Sequence, residues 1–128
     1  MTPDELRDRS RQFAMRIVRL YQSLPKTAEA QVMGKQLLRA GTSVAANYRA
    51  TCRSRSRAEF IAKIGIVVEE ADESMFWLAA IAESGVFPAK KVQALQKEAS
   101  ELTKIFAASN RTARAGEKSL NRKSLNHK

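Results

Sequence analysis

The stretch SRAEFIAKIGIVVEEADESMFWLAAIAESG, residues 56–85, decides the fold. It opens with Ser56-x-x-Glu59, a pattern in which a serine hydroxyl caps the first free N–H groups of a helix. It closes on Gly85, the residue type that most readily takes the left-handed turn ending many helices. Between them, Phe60, Ile64, Val67, Ala71, Leu78 and Ala82, with Val68 and Met75 alongside, fall within an arc of roughly 120° when residues are set 100° apart. That is one helix with one core face. Ile66, Trp77 and Ile81 lie on a different side, with Glu70 and Glu73 among them, and Phe76 lies on yet another with Glu69 and Asp72. A mixed patch of aromatic, aliphatic and acidic side chains left over from the core has the character of a protein–protein contact. Ile66, Glu70, Glu73, Phe76, Trp77 and Ile81 are therefore the oligomer-interface candidates, and a homo-oligomer is expected.

Three further helices surround this one. TPDE at residues 2–5 supplies Thr2 as cap, Pro3 at the first helical position and Glu5 three on from the cap. The helix it opens carries Leu6, Phe13, Ile17, Leu20 and Leu24, and Pro25 stops it. The second starts at Thr27 and carries Met33, Leu37, Ala40, Val44 and Tyr48, with Gly34 and Gly41 one heptad apart on its border. Glycine inside a helix costs about 1 kcal/mol relative to alanine, so two on one flank imply a neighbouring backbone close by. The competing reading is a break at RAGTS. The fourth starts at Pro88 and carries Val92, Leu95, Ala99, Leu102 and Phe106. Short links make sequential neighbours antiparallel. The expectation is an all-α, up-down-up-down antiparallel four-helix bundle over residues 1–109, with helices at about 3–24, 27–52, 56–84 and 88–109. A basic, disordered tail is expected over 110–128.

Charge points to the partner class. Lys and Arg number 23 against 13 acids, a formal +10, in a chain whose 28% charged residues are otherwise ordinary. Such an excess attracts polyanions. In the tail, Arg111, Arg114, Lys118, Arg122, Lys123 and Lys128 oppose only Glu117, which suits either an RNA or DNA accessory or a solubilising end. At the joint NYRATCRSRSRAEF, residues 47–60, Arg49, Arg53, Arg55 and Arg57 stand within nine positions. These four, with Arg9, Arg16 and Arg19 along one flank of helix 1, are the nucleic-acid-binding candidates; arginine's planar fork suits phosphate oxygens. No aromatic residues interleave with them, so base reading is not expected.

Catalysis finds little support. Cys52 is the sole cysteine, read as a small, partly buried thiol, and His127 is the sole histidine, far down the tail. That removes histidine-dependent triads, histidine zinc sites and the Glu-x-x-His di-iron pattern. EEADE, residues 69–73, puts Glu69 and Glu73 on one face, but one helix supplies too few ligands for a carboxylate cage and no second group for acid–base work. No enzyme, cofactor or metal is expected. Nor is a membrane span, since no apolar run approaches the roughly 20 residues required, and the start of the chain lacks a secretion signal's apolar centre, so a cytoplasmic protein is the simplest reading.

With the helices placed, the joint resembles a known family. RAGTSV (Arg39 to Val44), Asn47, Arg53, Ser56 and Glu59-Phe60, followed by an acidic–apolar third helix, resemble the small four-helix-bundle proteins encoded in intervening sequences of bacterial 23S ribosomal RNA genes. That group looks related to the accessory variability protein of diversity-generating retroelements. The likeness covers residues 10 to about 110. It departs at Arg49-Ala50, where the family pattern has Glu-Gly, which makes this joint more positive. The resemblance implies a non-enzymatic bundle assembled as a ring-shaped homopentamer. For the retroelement relative it implies binding to nucleic acid and to a reverse transcriptase.

Two functional readings follow. In the first, an oligomer binds nucleic acid, RNA before DNA, through phosphate contacts multiplied by avidity. In the second, the chain is a protein-interaction scaffold: the joint arginines pair with Glu69, Glu70, Asp72 and Glu73 of an adjacent subunit or with an acidic partner protein. Asn47, Ser56 and Glu59 are structural in both. Ser56 caps helix 3, and the Asn47 amide hydrogen-bonds at the core edge of helix 2, because leaving it unpaired costs about 1–3 kcal/mol.

Overall fold

The computed structural model of the chain describes residues 1–126, with side chains as far as 123, so His127 and Lys128 of the basic tail lie outside the described residues. Four α-helices follow one another: α1 (Pro3–Ser23), α2 (Ala28–Thr51), α3 (Arg57–Ser84) and α4 (Ala89–Asn126). Each packs against its neighbours in the chain, and α4 closes back on α1 along the sparsest seam. The result is a four-helix bundle with no strand among the described residues.

The ends of the elements obey local chemistry. Thr2 and Glu5 form the reciprocal capping box, the Thr2 hydroxyl accepting from the Glu5 N–H at 3.1 Å and the Glu5 carboxylate accepting from the Thr2 N–H at 3.2 Å. Ser56 caps α3 by accepting from the Glu59 N–H at 3.1 Å. Glu59 does not return the favour. Its carboxylate turns to the Arg55 N–H and to Lys63 at 2.8 Å, which hold it below the usual carboxylate range. Gly85 ends α3 at φ 77, a conformation that side chains with a Cβ rarely adopt.

Phe13, Ile17, Leu37, Val44, Ile64, Val67, Leu78, Val92, Leu102 and Phe106 interlock in one buried core. Helix α3 packs on both α2 and α4, so its buried surface is wider than one stripe. This corrects one interface candidate: Ile81 is 0% exposed and belongs to the core, because a helix with two large neighbours buries a second flank. Helix α2 is unbroken through RAGTS.

The expected disordered tail is also corrected. Helix α4 continues through residues 110–126 without interruption. Arg, Lys, Ala, Leu and Glu dominate the described part of that segment, and all are good helix formers; the single Gly116 costs about 1 kcal/mol and does not stop it.

The two α2 glycines mark where α1 comes closest. A Cβ on Gly41 would collide with the Ile17 side chain, and one on Gly34 would sit 3.0 Å from the Tyr21 ring. Gly65, on α3, has open space instead. In urea unfolding, Gly41→Ala is expected to cost about 1–3 kcal/mol through overpacking, and Gly65→Ala to add up to about 1 kcal/mol through helix propensity. Equal effects at the two sites would contradict this packing of α1 on α2.

Candidate nucleic-acid interface

The antiparallel order brings the start of α1, the end of α2, the start of α3 and the far part of α4 to one end of the bundle. Most of the sequence-identified arginines gather there. Arg49 and Arg53 line a groove of about 720 Å³ between α1 and α2, opposite Arg7 and Arg11. Asp4 and Asp8 line the same groove, along with the small side chains Ala14, Ala45 and Ala46. Arg7 is held by Asp4 and Arg11 by Asp8, both at 2.8 Å and one turn away on the same helix. Arg49 and Arg53 have no acidic partner among the described residues, and both are exposed.

Arg57 goes elsewhere. It lines a second hollow of about 520 Å³ with Tyr48, Cys52, Phe60 and Ala113, and its guanidinium lies against the bare backbone of Gly116 on α4. Arg55 sits exposed at the tip of the joint. Cys52 is exposed at the end of α2, not partly buried as the sequence led one to expect. Tyr48 is buried, with its ring 5.2 Å from that of Phe106, and burial pushes its phenol well above the ordinary range. It offers no stacking face. Asn47 donates from Nδ2 to the Ser43 carbonyl at 2.8 Å.

The flank of helix 1 divides. Arg16 and Arg19 line a shallow hollow of about 300 Å³ against α4, with Phe87 and Lys91, at the opposite end of the bundle from the joint. Arg9 is not a free cation. It reaches across the α1–α4 seam, donating from Nε to Glu98 at 2.8 Å and from its terminal nitrogen to Glu98 at 2.5 Å and Glu101 at 2.7 Å. The Arg9 guanidinium holds the Glu98 carboxyl below the usual glutamate range against the opposing cost of its burial. Arg9 is therefore a clamp between helices.

A second clamp was not foreseen. Arg39 on α2 pairs with Glu70 at 3.1 Å and with Glu73 on α3. Two acidic interface candidates are thus engaged within the chain, and the Arg39 fork depresses the Glu73 carboxyl. The signal lay in the sequence: acids three apart on α3 present one target to a long cation on a neighbouring helix. Of the apolar candidates, Phe76 is 62% and Ile66 45% exposed, while Trp77 is half-buried and meets Phe76 edge-on at 4.8 Å. Among the described residues no group of three or more His, Cys, Asp or Glu is placed to hold a metal, and no helix is long and apolar enough to cross a membrane.

The family model described as 23S rRNA-intervening sequence protein matches residues 5–108. Among solved structures, the chain is similar to a crystal structure at 1.70 Å of a protein with unknown function from the S23 ribosomal protein family of Bacteroides thetaiotaomicron VPI-5482. Identity is 34% and the TM-score 0.76, over 82% of this chain and 97% of that one. No curated protein matches the sequence.

The Arg9 clamp has a pH signature. Glu98 has a depressed folded pKa, so its contribution to stability is present above the ordinary glutamate value of 4.5 and is lost as pH falls through the folded value. Arg9→Met, which keeps the apolar stem, is expected to cost about 1–2 kcal/mol at pH 7. The gap between wild type and variant should narrow as pH drops below about 4.5. A gap constant down to pH 2 in denaturant titrations would show that the clamp is not electrostatic.

Proposed function

The chain belongs to the 23S rRNA-intervening sequence protein family, and from that premise we propose that it is a non-enzymatic, oligomeric bundle that binds nucleic acid, RNA before DNA, without reading bases. The observation that carries this reading is the state of the joint. Arg49, Arg53, Arg55 and Arg57 are exposed and make no ion pair with any described acid, whereas the arginines that cross helix seams, Arg9 and Arg39, are both paired. Unpaired guanidinium groups collected at one end of a chain of net +10 form a field that a phosphate backbone satisfies. Of the two rings in the joint, Tyr48 is packed on Phe106 and Phe60 packs against the core, so contacts to phosphate outweigh contacts to bases.

Assembly belongs to the same proposal. Phe76 and Ile66 leave apolar area in water on α3, and covering it with a second copy removes that cost. A ring-shaped homopentamer, the arrangement that the family resemblance implies, would set five basic ends side by side and multiply weak phosphate contacts. The setting is cytoplasmic.

A scaffold role is the second reading, favoured by exposed Glu69 and Asp72 on α3, neither of them paired with any described cation. In that case the joint arginines of one copy meet the acids of the next, or an acidic partner such as the reverse transcriptase of related systems.

One set of variants separates the two. The triple change Arg49→Ala, Arg53→Ala, Arg55→Ala spares Arg57, which packs on α4. Under nucleic-acid binding it abolishes RNA retention through a low-salt wash while the mass from light scattering stays a multiple of the monomer. Under the scaffold reading the mass falls to that of the monomer. Retention and mass both unchanged would sink both readings of the joint.

A further inference from the structure

Along α4, cations recur every seventh residue: Lys90, Lys97, Lys104, Arg111 and Lys118. All five are exposed, and none is paired with a described acid. At 100° per residue they stay within about 80° of arc, drifting by about 20° per heptad. They stand opposite the stripe of Val92, Leu95, Ala99, Leu102 and Phe106, which is buried in the core. Arg114 and Arg122 widen the same ridge beyond the bundle. At 1.5 Å per residue the five positions span about 42 Å.

One acid of α4, Glu101, flanks this ridge, four residues on from Lys97 and three before Lys104. Glu98 and Glu101 point to α1 and are taken by Arg9. Glu117 lies about 120° away from Arg111 by the same helical rotation. From α3, Asp72 shares a shallow hollow with Lys104 and Arg111.

Two commoner explanations fall short. Cations near a helix C-terminus complement the macrodipole, but that effect is confined to the last turn or so, and this series begins at the other end of α4. Solvated helix faces ordinarily mix signs at i, i+4; here the one acid at such a spacing, Glu101 beside Lys97 and Lys104, is already bound by Arg9. A long, straight track dominated by one sign fits a ligand with regularly repeated negative charge. Its span slightly exceeds one turn of a duplex, about 34–36 Å. No aromatic side chain lies on the track to stack unpaired bases, the feature that single-strand binders use.

We infer that the outer ridge of α4, from Lys90 to Lys118 and on to Arg122, is a docking track for the sugar-phosphate backbone of a double-stranded nucleic acid. This deepens the nucleic-acid reading of the previous section and rests on it, but it moves the main contact from the joint to α4. Part of the track lies beyond the matched family region, which stops at residue 108, whereas Arg111, Arg114, Lys118 and Arg122 follow it.

The test uses the full-length chain with Lys104→Gln, Arg111→Gln and Lys118→Gln together, which keep helix propensity and lie on the surface. Fluorescence anisotropy is measured with a 20-base-pair RNA duplex, its DNA counterpart and one unpaired RNA strand, from 50 to 200 mM salt. Helical circular dichroism and the melting temperature, both expected unchanged, show that the fold is intact. Each phosphate contact contributes about 0.9 to the slope of log affinity against log salt for a DNA duplex. The triple variant should therefore lower that slope by two to three units and weaken duplex binding at least tenfold. Wild-type affinity and slope in this variant, alongside loss of binding in the Arg49/Arg53/Arg55 triple variant, overturn the track and leave the joint reading standing. No binding by the wild-type chain to any of the three probes overturns both. Tighter binding of the unpaired strand than of either duplex overturns the duplex assignment.

Discussion

The α1–α4 seam is the sparsest contact in the bundle, and the Arg9 fork closes it. One guanidinium spans two helices and engages two carboxylates, each of which alone on a half-buried seam would lose hydration without compensation. Arg39 does the same between α2 and α3. These clamps also decide what the surface presents. They consume Glu98, Glu101, Glu70 and Glu73, the acids nearest the basic residues of α4 and α2. Each clamp sets two carboxylates against one guanidinium, so the acids are concentrated at the helix seams and the cations left over elsewhere are those with nothing to hold.

Packing of α1 on α2 sets where those cations go. Gly34 and Gly41 let Leu24, Tyr21 and Ile17 press onto the α2 backbone, so the two helices lie close along their length. Close antiparallel packing places the first turns of α1 across from the last turns of α2, and Arg7 and Arg11 thereby face Arg49 and Arg53 across the groove. The link from glycine to groove is steric. The link from groove to function is electrostatic, and the second depends on the first.

Much of this fold was legible in the sequence because helix signals are local. Thr2, Ser56, Pro25 and Gly85 act through hydrogen bonds and backbone angles that span only a few residues. The heptad spacing of Gly34 and Gly41 also gave away the close neighbour. What stayed hidden was relational. Ile81 looked spare on a wheel because a wheel does not show that α3 packs on two helices at once. Arg9 looked free because its acids lie 89 and 92 residues further on. Its excess of basic residues made the segment from residue 110 onward look unstructured, although helix propensity over 110–126 is good and α3 anchors it through Arg57 at Gly116. The cation period of α4 was readable from the start, but a stripe of lysines has meaning only once the opposite face is known to be buried.

The surplus apolar and surplus basic surfaces point in different directions, and this bears on how they work together. Phe76 lies on α3 about 180° around the helix from the centre of its buried stripe, and the α4 cations lie about 180° from theirs. Neighbouring corners of the bundle thus carry unlike surfaces. A copy docked over Phe76 and Ile66 leaves the α4 ridge open, so assembly and polyanion binding need not compete for the same residues. The two would instead reinforce each other. Each added subunit would bring a further row of cations at fixed spacing, and affinity would then grow through effective concentration, with no new contact chemistry. Asp72 is the exception that couples the faces. It lies between them, beside Lys104 and Arg111 but paired with neither, and a contact that engages it in the assembly would raise the positive potential those two cations present to a phosphate backbone.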